Sequence, residues 1–380
     1  MRLYADVVLD LPIPGPFTYR VPGPLHPRTT PGIRVRVPFR RRAMTGVVVS
    51  LRKKRPASSF EMKEILEALD EGPVFSSEFL AFTRKLSASY HSSWGEMLLS
   101  ALPASLVLRS RKEVAITPEG QKALEEGSLQ EAEKTVLEIV EHRAYTTTFL
   151  RRKARVENVS AVLRRLEKKG LIAFHEILKT PVRKHRAEVS RPPLQLEIDF
   201  SLDERSLYAG KRLRAAMNSR KFSPFYVHAS SGKREGIYAY LIREALASKR
   251  KVLFLVPEIS LTSSLQKSFE RKLGERALLF HSRLTEAQRE QAWRRVREGG
   301  ADVVVGSRSA LFSPVENLGV IIVDDEHEEA YQQRESPSFD ARKGAWLRAE
   351  QTASLLVYGS SVPSVEMYHR ARRRGMILRL

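Results

Sequence analysis

Two stretches of the 380-residue chain carry side chains suited to phosphate and metal chemistry. In the first, the apolar run FYVHA (225–229) leads into Ser230, Ser231, Gly232, Lys233, Arg234 and Glu235, then into a helical IYAYLIREALASKRK. Strand, tight Gly-Lys turn and helix form the setting of a phosphate-binding loop. Backbone N–H groups and the helix N-terminus would cradle phosphates there, with Lys233 reaching the terminal ones. Ser231, Gly232, Lys233 and Arg234 are therefore the candidate nucleotide-binding residues, although a Gly-Lys turn before a helix is also an ordinary structural feature. In the second stretch an apolar strand ends in Asp324, Asp325, Glu326 and His327. In a nucleotide-dependent motor the first acid holds Mg²⁺ and the next orients the attacking water. Asp324 and Asp325 are the candidate catalytic positions; in other settings such acids are solvated strand caps. His327 has no second histidine nearby, so hydrogen bonding is expected of it rather than metal ligation.

A third set of residues is basic. The chain holds 65 Lys+Arg against 44 Asp+Glu, a net charge of +21 and a pI of about 10.2. Clusters at Arg40–Arg42, Arg52–Arg55, Arg151–Lys153, Arg164–Arg165, Lys168–Lys169 and Arg372–Arg374 supply much of this excess. Any one of them is an ordinary solvated face, but together they point to a nucleic-acid partner. A membrane surface is the weaker reading, because no run approaches the roughly 20 apolar residues a span needs. The opening MRLYADVVLDLPIPG lacks a signal-peptide core, so a cytoplasmic location is expected. The absence of cysteine excludes disulfides, Cys-ligated zinc, iron–sulfur clusters and thiol nucleophiles.

The elements that must hold these residues fall into three textures. Residues 1–60 contain the runs Ala5–Leu11, Phe17–Val21, Ile33–Phe39 and Thr45–Leu51 between Pro/Gly-rich turns, which predicts a small antiparallel sheet or barrel. Helical spacing follows from Ser76 to Leu102, with Ser76 or Ser77 as N-cap. Over 130–180, EAEKTVLEIVEH and ENVSAVLRRLEKKG carry apolar residues at i, i+3, i+4 and i+7, and LIAFHEILKT reads as a strand. Three short helices followed by a hairpin form the pattern of a winged helix. Its helix from about Glu157 to Lys169 would enter a groove, bringing Arg164, Arg165 and Lys168, with Arg151 and Lys153 on the backbone; winged helices also serve as protein–protein modules. The polar VRKHRAEVSRPPLQLE reads as a linker. Beyond residue 200, near-continuous apolar runs at 225–229, 251–258, 277–281, 301–307, 319–326 and 353–360 read as buried parallel strands alternating with helices.

In order along the chain stand SSGKRE (230–235), LVPEISLT (255–262), HSRLT (281–285), GSRSALFSP (306–314), the acidic stretch 324–345 and GSSVPS (359–364). With RVRVPF (34–39), GVVVSL (46–51) and Tyr90-His91, Gly95-Glu96 and Ala101-Leu102-Pro103, they closely resemble PriA, the replication-restart helicase family, over nearly the whole chain. The resemblance implies a 3′-end-binding-like domain at 1–105, a winged helix at 106–185 and the first of two RecA-like motor lobes at 186–380. The family continues into a second motor lobe interrupted by a cysteine-rich zinc region, and neither is expected here.

The chain departs from the family where chemistry is done. The family's loop glycines fall at Val227 and Ser230, its Mg²⁺-binding hydroxyl at Arg234 and its water-orienting glutamate at Asp325, while the third motif's threonine falls at Val362. In the 3′-nucleotide pocket Phe17 and Lys63 match, to stack on a terminal base and meet a phosphate. The pocket's Asp falls at Thr18 and its Gly at Arg40. The alternative for Phe17 is a core or turn aromatic. Tyr331 and Phe339 lie where the family has a loop that senses single-stranded DNA; the alternative is packing beneath a loop. The expected function is a PriA-like protein that binds forked or branched DNA through Phe17, Arg40, Lys63 and the winged-helix cations and promotes restart without helicase activity. It is expected to use weak or no ATP and Mg²⁺ and no zinc, with primosome and single-stranded-DNA-binding proteins as partners by resemblance. The alternatives are the N-terminal portion of an active ATP-dependent 3′→5′ helicase and, more weakly, a winged-helix regulator.

Overall fold

The computed structural model describes residues 2–40, 42–55, 62–107, 111–127, 129–154, 156, 158–177, 202–257, 276–280 and 284–380. The chain divides into two compact units, one made of Met1–Pro38, Thr45–Val107 and Arg183–Leu380, the other of Phe39–Met44 and Leu108–Val182.

The four predicted N-terminal runs form strands. They are β1 (Leu3–Leu9), β2 (Phe17–Val21), β3 (Arg34–Phe39) and β4 (Arg42–Arg52), which with a short β5 (Glu67–Ala68) make a sheet ordered β2-β1-β4-β3-β5. β1 is an interior strand, buried from Tyr4 to Leu9 rather than on one face only. Its second face is covered because Gly95 brings a helix backbone against it: a Cβ there would stand 1.8 Å from the Leu9 carbonyl oxygen. The single helical stretch expected over 76–102 is two helices, α1 (Ser77–Ser89) and α2 (Trp94–Leu99). Ser76 caps the first by accepting from the Phe79 N–H at 3.2 Å. His91, at φ +50°, takes the chain out of the helical region between them.

In the same unit α1 packs on the α/β lobe. Rings step from Phe79 to Phe82 (5.6 Å), to Phe312 (6.1 Å) and to Phe339 (5.0 Å), within one continuous apolar core. Arg348, fully buried, spans the same seam; it donates to the carbonyls of Leu311, Ser313 and Val315 and lies 5.5 Å from the Phe79 ring. Burial without a carboxylate partner lowers its pKa to about 9.

The second unit contains β6 (Arg111–Ile116), α3 (Pro118–Glu126), α4 (Glu131–Val140), β7 (Tyr145–Thr146), α5 (Thr147–Lys153), α6 (Val159–Lys168) and β8 (Ile172–Ile177). The 3.6-residue periodicity is honoured: Val136, Leu137, Val140, Val162, Leu163 and Leu166 form its core. Among the described residues β8 pairs antiparallel with β6, a strand that precedes the helices. A wing strand after β8, and the linker at 182–197, lie outside the described residues.

The lobe is the predicted parallel sheet. It comprises β9 (Ser223–His228), β10 (Lys251–Leu255), β11 (Ala277–Phe280), β12 (Val303–Gly306), β13 (Leu318–Val323), β16 (Leu355–Ser360) and an unforeseen edge strand β17 (Ile377–Arg379), ordered β11-β12-β10-β13-β16-β9-β17. The short β14 (Gln332–Gln333) and β15 (Phe339–Asp340) form a separate ladder. β12, β13 and β16 are buried along their whole length, as strands covered on both faces must be. Helices α7 (Glu204–Asn218), α8 (Ser231–Ala247), α9 (Glu286–Arg297), α10 (Ala341–Gln351) and α11 (Val365–Arg373) supply the cover. Because β13, β16 and β9 are neighbours, the acid box, the third motif and the phosphate loop emerge side by side at their carboxyl ends, the place where open α/β sheets bind ligands.

Candidate nucleotide site and DNA-binding surfaces

At those strand ends the loop is short. β9 ends at His228, Ser230 is the N-cap of α8, and the helix begins at Ser231. Lys233 forms an ion pair with Asp203, the N-cap of α7, at 3.1 Å. Ser231 donates to Glu235 at 3.0 Å, so its hydroxyl is engaged along its own helix. A Cβ at Gly232 would meet nothing within 4 Å, so packing does not require that glycine.

Arg234 points inward. Its side chain is 2 % exposed and all three branches are used. Nε donates to Asp324 Oδ1 at 2.7 Å, Nη2 to Asp325 Oδ1 at 2.6 Å and Nη1 to the Ala229 carbonyl at 2.8 Å. Tyr238, one turn along α8, donates to the same Asp324 oxygen at 2.8 Å. Burial disfavours the charged guanidinium, but the Asp324 hydrogen bond and charge outweigh it and hold Arg234 above the ordinary arginine range. Asp325 is raised, first by burial and then by the neighbouring Asp324 charge, against the pull of Arg234. The two carboxylates that would face a divalent cation thus face a guanidinium, and no hydroxyl stands at position 234 to complete a metal's ligand set. This donor set does not fit a Mg²⁺–nucleotide.

Around this pair the third motif is fixed. Gly359 is needed because a Cβ there would lie 1.7 Å from the Tyr238 hydroxyl and 3.0 Å from Arg234 Cδ. Glu326, fully buried, accepts from Tyr226 Oη at 2.7 Å, from the Ser364 N–H at 2.8 Å and from Ser364 Oγ at 2.9 Å, and its own N–H donates to the Gly359 carbonyl. His327 Nδ1 sits 2.8 Å from Ser360 Oγ, the hydrogen-bonding role expected of it. Among the described residues no group of His, Asp or Glu is arranged to hold a metal. Val362 is exposed. Tyr331 and Phe339 are buried, so neither offers a ring to a base: Tyr331 donates to the carbonyls of Leu255 and Asp324, and Phe339 stands edge-on to Phe312. Packing is the correct reading of both. Tyr238, Glu326 and Asp203 were not singled out from sequence as members of this network. Glu326 left a signal as part of the acidic cluster and Tyr238 as the residue one turn after Arg234, while Asp203 left none.

In the N-terminal sheet, half-buried Phe17 opens β2, and exposed Lys63 docks three residues further on, its carbonyl accepting from the Arg20 N–H at 2.9 Å. Thr18 donates to Asp6 Oδ1 on the adjacent strand at 2.7 Å, and Asp6 also takes Ser50 Oγ and Arg52. Burial works against the Asp6 carboxylate, but the Ser50, Thr18 and Arg52 bonds prevail and hold it below the usual range. Arg40, exposed at φ +54°, holds the left-handed backbone that glycine adopts most readily. In the second unit Arg164, Arg165 and Lys168 lie exposed along α6 and Lys153 at the end of α5; Arg151 donates to Ser160 and Arg165 to Gln130. No helix among the described residues is long and apolar enough to cross a membrane.

Comparison with known proteins bears on both regions. Residues 6–103 match the 3′ DNA-binding domain family and residues 225–343 the DEAD/DEAH box helicases. The replication restart protein PriA of Bacillus subtilis is 28% identical over 446 aligned residues, covering 97% of this chain and 54% of its own. That of Haemophilus influenzae is 31% identical over 368, covering 95% and 49%. That of a Synechocystis strain is 38% identical over 144, covering 38% and 17%. The chain spans about half the length of the first two. It is homologous to the N-terminal half of the PriA replication restart proteins, with their 3′ DNA-binding domain followed by a helicase-like lobe.

Proposed function

We propose that the chain recognises forked or branched DNA in the cytoplasm and supports assembly of the restart machinery there without hydrolysing ATP. The observation that carries the reading is Arg234 bonded to Asp324 and Asp325, with Lys233 drawn to Asp203. Hydrolysis needs a metal held by a loop hydroxyl and an acid, a positioned water and a cation from an opposite lobe, the last alone worth about 10³–10⁵ in rate. The DNA arm rests on the match to the 3′ DNA-binding domain and on the exposed cations of α5 and α6, whose phosphate contacts would release counterions. Primosome proteins and single-stranded-DNA-binding proteins are the partners proposed, on the homology alone. The test is a steady-state phosphate-release assay with and without forked DNA, paired with binding of forks and blunt duplexes of equal length across salt. The expected result is no turnover, fork binding stronger than duplex binding, and a steep salt slope. Turnover that requires DNA and is abolished by Lys233→Ala would favour the alternative, an N-terminal portion of an active helicase.

A further inference from the structure

We infer that Arg234 is a built-in cation that holds the acid box and the third motif in one state, which nucleotide and divalent metal no longer set. The inference deepens the non-motor reading and rests on it. In a nucleotide-driven lobe the positive charge between the acids arrives with a ligand and leaves with it, and the two states differ because one ligand prefers one of them. A cation attached to the chain is always present, so it has no differential affinity to express. The geometry anchors the attachment at every nitrogen: Nε, Nη1 and Nη2 each donate to an acceptor of the chain, two of them to the acid box itself.

The third motif is tied to the same cation. Tyr238 donates to the Asp324 oxygen that Arg234 Nε also holds, and Gly359 rests against both side chains, where any larger residue would collide. Glu326 then joins Gly359 to Ser364 through its N–H and both carboxylate oxygens. Loop, acid box and third motif therefore form one closed network with Arg234 at its centre. The cation at its centre is supplied by the chain itself.

The experiment is thermal denaturation of the full chain with and without millimolar Mg²⁺ or Mn²⁺. The wild-type midpoint is expected to stay within about 1 °C in either metal. Arg234→Ala leaves two neighbouring carboxylates without their cation and should lower the midpoint by on the order of 5–10 °C. Mn²⁺ should restore part of that loss saturably, and Arg234→Ala combined with Asp324→Asn should abolish the restoration. A saturable rise in the wild type, no loss in Arg234→Ala, or a loss that Mn²⁺ leaves unchanged would each overturn the inference. If Arg234→Ala yields no folded protein under any condition, Arg234→Lys decides. Its ammonium still fills the site, so metal insensitivity supports the inference and a saturable rise overturns it. A wild type that responds to metal yet turns over no ATP would sink the built-in cation alone, whereas Lys233-dependent turnover would sink the non-motor reading.

Discussion

The nucleotide loop and the N-terminal sheet each carry an arginine in a candidate binding region, and the two side chains have different physical settings. At the loop the side chain points inward: Arg234 is 2 % exposed and is part of the fold. At the sheet Arg40 is exposed on a left-handed backbone, and Thr18 donates to Asp6 on the next strand. One region pairs its charges internally. The other presents its charge at the surface. Substitutions in the first should therefore be felt as stability, and substitutions among exposed cations as affinity.

The largest effect should come from Asp324→Ala. Removing one partner of a buried pair costs about 3–5 kcal/mol, measurable by urea denaturation, while fork affinity should stay within about twofold. A loss under about 1 kcal/mol would erase the difference between the two regions. The mirror experiment removes Arg151, Lys153, Arg164 and Lys168 together by alanine substitution. Stability should hold, since surface changes away from special features usually stay within about 0.5 kcal/mol each. The plot of log K against log salt should flatten by about 0.9 for each phosphate that is no longer neutralised. An unchanged slope would take these cations out of the DNA interface.

A subtler measurement concerns Asp203, whose pKa is drawn down to about 2 from 3.8 by the Ser206 N–H first, and also by Lys233. A depressed carboxylate contributes stability above its ordinary pKa and loses it as pH falls through the folded value. That contribution should therefore fade as pH falls from about 4 to 2. Carboxyl NMR should place the midpoint near 2, and Lys233→Ala should move it upward. A midpoint unmoved by Lys233→Ala would mean that the loop lysine is not held at the α7 cap. The smallest effect should be that of Arg40→Gly. Relief of a left-handed residue, worth about 1–2 kcal/mol, is partly cancelled by the added freedom of the unfolded chain. The substitution also removes the guanidinium from over the Phe39 ring, 5.8 Å from its centroid, so calorimetry should show a net change within about 1 kcal/mol, and a loss well beyond that would mean that the side chain's contacts outweigh the strain of its backbone.

Much of the fold was legible because burial leaves a period in the sequence. All six apolar runs beyond residue 200 became strands of one parallel sheet, and the four N-terminal runs became strands too. What escaped were elements too short or too polar to carry a period, such as β6 (RKEVAI), whose place beside β8 is set by tertiary pairing, and the three-residue β17. The break at Tyr90–Ser93 escaped because apolar residues run straight across it. At the candidate site the identities were readable and the pairing was not. That Arg234 lacks a hydroxyl is visible in one letter, but that its guanidinium reaches two acids some ninety residues on depends on β9 lying two strands from β13, with only β16 between them.

The Gly359 contact also bears on which substitutions the lobe tolerates. With Tyr238 Oη where any Cβ at 359 would fall, and the Arg234 chain 3.0 Å from the same point, these positions are no longer free to vary one at a time. Restoring a hydroxyl at 234 alone would strand Asp324 and Asp325 beside each other with only a tyrosine between them and the core. The contact therefore couples positions 234, 238 and 359, so that a change at one is tolerated only with a matching change at another.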